Sequence, residues 1–153
     1  MTSPKFEAYT WDALTREDLY DALRLRAQVF VVEQDCAYQD LDGRDREAIH
    51  ILGRDGDARV VAYCRWMEDE DAVRLGRIVV AADARNRGLG RRLMEEALRR
   101  IGPDVRIVMH AQAHLDGFYG RFGFEVTSAP FLEDGIPHVA MERRQSSSEA
   151  RKA

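Results

Sequence analysis

Residues 85–92 read RNRGLGRR and place arginines at 85, 87, 91 and 92 around Gly88 and Gly90. They follow the apolar run LGRIVV and precede LMEEALRRI, whose apolar residues recur at helical spacing. A turn of this composition between a strand and a helix can seat an anion. The first N–H groups of a helix lack intrahelical acceptors, and the aligned peptide dipoles add partial positive charge there. Gly88 and Gly90 let an anion approach the backbone, while Arg85, Arg87, Arg91 and Arg92 offer donors matched to phosphate oxygens. A diphosphate is the natural guest. Two familiar phosphate motifs are excluded. No lysine follows either glycine, as a Walker loop requires, and Leu93 stands where a dinucleotide fingerprint needs its third glycine. Taken alone, the run reads more readily as a solvated polar turn than as a binding site.

The other chemistry-bearing residues are weaker signals. HAQAH (110–114) spaces His110 and His114 as a zinc helix does, but Ala111 replaces the glutamate of HExxH. The pair also straddles a strand end and a helix start, with no third ligand, so no metal is expected. Cys36 and Cys64 are too few for a disulfide framework and form no CxxC pair; Cys36 reads as a passive thiol. Glu33, Asp35, Asp40, Asp42 and Asp45 make the stretch 32–47 acidic, as Glu133 and Asp134 do later. They fit either a lure for a cationic amine or a solvated rim.

The elements that must position these residues follow from periodicity and turn chemistry. A first strand is expected at 5–11. Thr15 and Asp18 resemble a capping box that opens a helix over 16–30. The stretch 32–47 has neither period and reads as a long loop, a length that in a compact domain usually accompanies function. Runs at 48–53, 59–68 and 72–80, divided by RDGD and MEDED, predict an antiparallel meander. A helix at 88–101 ends at Gly102-Pro103, and the short apolar strand 105–109 makes a βαβ unit with parallel strands. A short helix at 115–122 capped by Gly123, then strands at 124–131 and 137–141 around LEDGIP, complete an α+β chain. Its sheet is mixed and mostly antiparallel, with helices on both faces. One domain is expected over 1–144, followed by a disordered polar tail, QSSSEARKA, at 145–153.

Composition narrows the function classes. The 153 residues are 45% hydrophobic and 33% charged, with a formal net charge of −4. That balance argues against broad nucleic-acid binding, which needs a basic face. The opening MTSPKFEAYTWDAL has no apolar run with a basic flank, and no 18-residue apolar segment exists, so neither a signal peptide nor a membrane partner is expected. A cytoplasmic location follows as an expectation.

With its neighbours, the Arg/Gly run changes meaning. Arg85, Asn86, Arg87, Gly88, Leu89 and Gly90 resemble the Q/R-x-x-G-x-G/A motif of the GNAT superfamily of N-acetyltransferases, and FYGRFGF (118–124) is similar to that family's LYxxxGF segment. The two stand in family order and at family spacing. VVEQDCAYQDLDG, HAQAHLDGFYGRFGF and FLEDGIPHVAM further resemble its ElaA-type subgroup. The resemblance implies the GNAT-like acyl-CoA N-acyltransferase fold and acetyl-CoA-dependent transfer to a primary amine, either a small molecule or a peptide, with a homodimer also admissible. It implies that the backbone of Ile78, Val79 and Val80 pairs with the pantetheine arm of acetyl-CoA, while Arg85, Asn86, Arg87, Gly88, Leu89, Gly90 and Arg91 take the diphosphate. Phe118 would be among the cofactor-binding residues, and Tyr119 would sit by the thioester sulfur and serve as general acid toward the leaving thiolate; a phenol is protonated at neutral pH.

Two departures from the family stand out. Gln112 replaces the asparagine that often contacts pantetheine, and 72–80 holds no glutamate to serve as base. An amine must be neutral to attack, so another base is required. Among Glu33, His50, His110, His114 and His138, the candidates preferred are Glu33, which follows the first helix in a region that often borders the family's acceptor site, and His110, at the end of the strand splaying from the cofactor strand. Without a strand glutamate, a non-catalytic acyl-CoA sensor or interaction module is the competing reading.

Overall fold

A computed structural model describes residues 4–146. Its strands are β1 (Lys5–Thr10), β2 (Ile49–Arg54), β3 (Val60–Asp69), β4 (Ala72–Val80), β5 (Ile107–Gln112), β6 (Glu125–Val126), β7 (Phe131–Glu133) and β8 (Ile136–Arg143); its helices are α1 (Arg16–Arg26), α2 (Leu89–Ile101) and α3 (Asp116–Gly120). One sheet runs β1-β2-β3-β4-β5-β8-β6, with β7 also paired to β8. All pairings are antiparallel except β4 with β5, the parallel pair expected from the βαβ unit.

Each face of the sheet carries a core. On one, Ala22, Leu25 and Val29 pack on Leu52, Val61, Tyr63 and Val79. On the other, Leu93, Met94 and Ala97 of α2 and Tyr119 of α3 pack on Ile51, Cys64, Leu75, Ile107, Met109 and Ala111. Side chains alternate along a strand. The burial of Ile107, Met109 and Ala111 against α2 and α3 therefore puts Val108, His110 and Gln112 on the α1 face.

The structure differs from the expected elements at three places. The first helix does not run uniformly to residue 30: α1 is capped by a reciprocal Thr15–Asp18 box and gives way to a π-helical segment, Ala27–Glu33. Its wider turns show in the bonds from Gln34 N–H to Val29 O, 3.1 Å, and from Cys36 N–H to Val31 O, 3.0 Å. The expected strand 124–131 is instead two short strands, β6 and β7. Between them Ser128 Oγ accepts the Ala140 N–H at 2.9 Å, and Pro130 has no N–H to contribute to a ladder. The fifth strand begins later than expected and ends at Gln112, which places His110 inside it. Of the tail expected at 145–153, residues 147–153 lie outside the described residues, and the Ser146 N–H donates to Pro103 O at 2.7 Å.

β4 is the strand that shapes the site. Arg65 faces Gly76 and Tyr63 faces Val79, so β4 carries one residue more than β3 across this stretch. The bulge holds Arg77 at φ +52°, uncommon for a residue with a Cβ. On its other edge β4 pairs with β5 only at Val73–Ile107 and Arg74–Val108. Beyond Arg74 the two parallel strands diverge, and the β5-facing edge of residues 75–80 has no strand partner.

Candidate functional site

The wedge between β4 and β5 opens into a cavity of about 820 Å³. Its walls include Ile78, Val79 and Val80 of β4, His110 and Gln112 of β5, Tyr119, Arg85, Glu33 and Glu133. The sequence-predicted strand residues, Tyr119 and both candidate bases thus share one cavity.

Tyr119 is 6% exposed, its ring edge-on to Phe118 and Phe124 at centroid distances of 5.1 and 6.4 Å. Its hydroxyl makes no hydrogen bond to any described residue, while the residue lines the cavity. Burial, and secondarily the neighbouring Cys64, pushes its pKa above the ordinary phenol value. The group stays protonated across the neutral range and has a donor to offer. Phe118 supports it rather than facing the cavity: its ring packs on Tyr119 and Phe122, and a Cβ at Gly90 would lie 3.6 Å from it.

The Arg/Gly turn lies beyond the Val80 end of the cavity wall. Gly88 caps α2 at φ +76°, with no side chain capping the helix, and Asn86 also has positive φ, +65°. The first α2 turn bond joins the Arg92 N–H to Gly88 O, which leaves the Leu89, Gly90 and Arg91 N–H groups without intrahelical acceptors. The Leu89 side chain is buried in the α1-side core, so its contribution to an anion would be its backbone. The arginines diverge. Arg92 turns away, donating to Pro4 O at 2.9 Å and lying over the Phe6 ring. Arg91 pairs with Glu95 on the helix surface. Arg85 donates through Nη1 and Nη2 to Glu33, at 2.5 and 3.0 Å, and through Nε to Val80 O at 3.1 Å.

The π-helical segment delivers three side chains to three different walls. Glu33 meets Arg85 after β4. Gln34 Oε1 accepts from Gln112 Nε2 at 3.2 Å, at the end of β5. Cys36 Sγ donates to Asp134 O at 3.4 Å, in the β7–β8 turn. The extra residue of a π turn rotates the end of the helix, and these contacts depend on that rotation. Gln112, expected to meet pantetheine, lines the cavity and donates to Gln34, and Glu33 sits in an ion pair with a residue expected to bind phosphate.

The acidic loop is tied down by arginines at Asp40, Asp42 and Asp45, with Asp42 still exposed on the cavity. Arg26, 1% exposed, donates to Asp40 Oδ2 at 2.9 Å and Asp45 Oδ1 at 2.7 Å. Arg65 donates to Asp45 Oδ1 at 2.8 Å and grips both oxygens of Asp42. Arg77, at the bulge, lies 2.8 Å from Asp40 Oδ1 through Nε and donates to Asp40 O at 3.0 Å, with the Tyr38 ring beneath it. Burial alone would raise the Asp42 carboxyl, but the hydrogen bonds from Arg65 and the Arg44 N–H, with the charges of Arg65 and Arg77, together outweigh it and hold the group well below the carboxylate range. His50 is a core residue: 1% exposed, with Nε2 donating to Asp45 O at 2.8 Å and Nδ1 accepting from the Tyr63 hydroxyl at 2.6 Å. Burial lowers its pKa, so it is a neutral bridge and not a base for substrate. Sequence spacing gave no sign of this network, because its arginines come from α1, β3 and β4.

On the acceptor side, His110 Nδ1 lies 2.9 Å from Glu133 Oε1, and His138 Nε2 lies 3.6 Å from Glu133 Oε2. Among the described residues no group of three or more His, Cys, Asp or Glu residues has the geometry of a metal site. No helix of the described residues is long and apolar enough to cross a membrane.

A mostly antiparallel sheet split between two parallel strands, with a glycine-capped helix beside the split, defines the acyl-CoA N-acyltransferase fold. The chain matches the family model of the acetyltransferase (GNAT) domain over residues 12–145 and belongs to that family of acyltransferases. Within it the chain is of the ElaA type: it is 42% identical to protein ElaA of Escherichia coli over 138 residues, 85% of this chain and 90% of that protein. The crystal structure of Escherichia coli ElaA superposes with a TM-score of 0.85 at 38% identity, covering 92% of this chain and 99% of that one. An acyl-CoA N-acyltransferase from Pseudomonas aeruginosa superposes with a TM-score of 0.87 at 40% identity, over 92% and 99% of the two chains.

Proposed function

We propose that the protein transfers an acetyl group from acetyl-CoA directly to a primary amine, carried by a small molecule or a peptide. The observation that carries this reading is the unpartnered Tyr119 hydroxyl on a cavity whose other wall is the unpaired edge of β4. The β5-facing backbone of residues 75–79 suits the amides of a pantetheine arm, and the free N–H groups at the α2 N-terminus suit the diphosphate. Arg85 and Arg87 would add charge there, Arg85 after leaving Glu33. Tyr119 would protonate the thiolate as the C–S bond breaks. Both cysteines are free thiols, as suits a cytoplasmic protein.

Release of free thiol from acetyl-CoA, measured against a panel of alkyl amines, aryl amines, amino acids, polyamines and peptide N-termini, tests the reading. Acceptor-dependent release supports transfer. Calorimetric binding of acetyl-CoA with no turnover on any amine would instead support a sensor.

A further inference from the structure

We propose that His110 is the general base of the transfer and that Glu133 is its positioning residue. The inference rests on the transferase reading above and adds the group that neutralises the acceptor.

Three observations converge. First, His110 and Tyr119 lie on opposite faces of the sheet yet border one cavity, because the wedge removes the hydrogen-bonded sheet between them. A thioester lying in the wedge would meet its leaving-group acid on the α2 and α3 face and its amine on the α1 face. Second, the 2.9 Å contact from His110 Nδ1 to Glu133 Oε1 makes Nδ1 the protonated nitrogen of the neutral ring. Nε2 is then the acceptor. The histidine side chain is 42% exposed and lines the cavity, so Nε2 is within reach of a substrate. Third, Glu133 lies between two histidines. Its other oxygen lies 3.6 Å from His138 Nε2, a contact that attracts only when His138, whose Nδ1 donates to Ile136 O at 2.7 Å, also carries a proton on Nε2, and the Phe131 ring stands edge-on to His110 and stacked on His138. The rival base, Glu33, stands with Arg85, the residue assigned to the diphosphate, at the Val80 end of the cavity. Arg74, His114 and Asp134 are among the other charged or titratable groups that line the cavity, and Arg74 is tied to Asp69 at 2.6 Å.

The step balances without a further reactant. His110 Nε2 takes one proton from the ammonium. The freed nitrogen lone pair forms the C–N bond, and the C–S bond breaks with its electron pair on sulfur. Tyr119 protonates that sulfur and recovers a proton from the new amide nitrogen, while His110 returns its proton to solvent. The products are an N-acetyl amide, free thiol and one proton.

Two measurements test the assignment. Long-range proton–nitrogen NMR on the whole protein reads the tautomer of His110. Neutral His110 is expected as the Nδ1–H form, with that preference weakened in Glu133→Ala; a dominant Nε2–H form in the wild type overturns the proposal. Thiol release then compares benzylamine, an ammonium at neutral pH, with aniline, which is already neutral. His110→Gln should lower kcat/KM for benzylamine by roughly a hundredfold or more, the usual share of a general base, and far less for aniline. Glu133→Ala should lower kcat with the KM for acetyl-CoA unchanged, and Glu133→Gln, which still accepts from Nδ1, should recover part of the rate. Both side chains are partly exposed, and acetyl-CoA binding of each variant confirms that the fold is kept. A His110→Gln enzyme that turns over benzylamine at the wild-type rate removes His110 while leaving the transferase reading intact. A wild type that binds acetyl-CoA but acetylates no amine overturns both.

Discussion

Arg26→Met is the most informative single perturbation of the loop that carries Asp40, Asp42 and Asp45. The guanidinium is 1% exposed and bonds Asp40 Oδ2, Asp45 Oδ1 and Asp40 O at 2.9, 2.7 and 3.0 Å. Methionine fills much the same volume, so the change removes charge and hydrogen bonds rather than opening a large void. Removing one partner of a buried ion pair typically costs about 3–5 kcal/mol. The carboxylates are not stranded, however: Asp45 keeps Arg65 at 2.8 Å and Asp40 keeps Arg77 at 2.8 Å. The loss should therefore fall near the lower end, about 3 kcal/mol, a substantial part of a stability of roughly 5–15 kcal/mol. Urea unfolding at neutral pH measures it. Because the pair is buried, added salt should leave the difference in place. The pH dependence has a definite sign. Burial would raise the Asp45 carboxyl, but its bonds to Arg26 and Arg65 lower it below its unfolded value. The stability it supplies is complete above the unfolded pKa, about 3.9, and disappears as pH falls through the lowered folded value. The gap between Arg26→Met and wild type should narrow over that acid range. A loss below about 1 kcal/mol, typical of exposed pairs, or one abolished by salt would refute a buried clamp.

Tyr119→Phe should cut the transfer rate by roughly a hundredfold with little change in acetyl-CoA affinity; an unchanged rate would remove the phenol from the mechanism. Glu33→Gln frees Arg85 from a half-exposed pair worth at most about 1 kcal/mol, so calorimetry should show acetyl-CoA binding tightened by no more than about fivefold, and weakened binding would count against competition for Arg85. Replacing both Arg85 and Arg87 with alanine should weaken CoA much more than pantetheine, which lacks the diphosphate; equal losses would argue against a diphosphate seat.

What the sequence made legible was local. The 3.6-residue period of LMEEALRRI and the Gly88 and Gly102 stops are properties of the stretch itself, and α2 runs Leu89–Ile101 accordingly. The bounds expected for the cofactor strand, 72–80, agree with β4, since RLGRIVV needs only its own β-branched residues and the flanking turn. The cavity side was less legible. Apolar periodicity across AQVFVVE cannot distinguish four-residue from five-residue bonding, so the π-helical segment that aims Glu33, Gln34 and Cys36 was read as ordinary helix and loop. The Arg77 bulge has no glycine at the positive-φ residue, and the residues that hold it come from a loop some forty positions earlier. Acidic composition at 32–47 was visible, but nothing local showed that arginines from three elements neutralise it.

These less legible features share one consequence. The proposed chemistry is divided between two faces of the sheet: Tyr119 on one, His110 and Glu133 on the other. A sheet with complete hydrogen bonding would keep them apart. They can act on one molecule only where pairing fails, beyond Arg74 and Val108. The bulge that bends β4 there holds Arg77 in a backbone conformation that a side chain disfavours, and such a conformation persists when its surroundings enforce it. Asp40 and Tyr38 supply that enforcement from the loop, and Arg26 and Arg65 hold the loop in turn. Arg26 lies outside the cavity walls, and Arg65, which is one of the lining residues, spends its hydrogen bonds on Asp42 and Asp45. The effect of Arg26 on the proposed transfer would pass through the shape of β4, by keeping open a gap through which both faces could reach the same carbonyl.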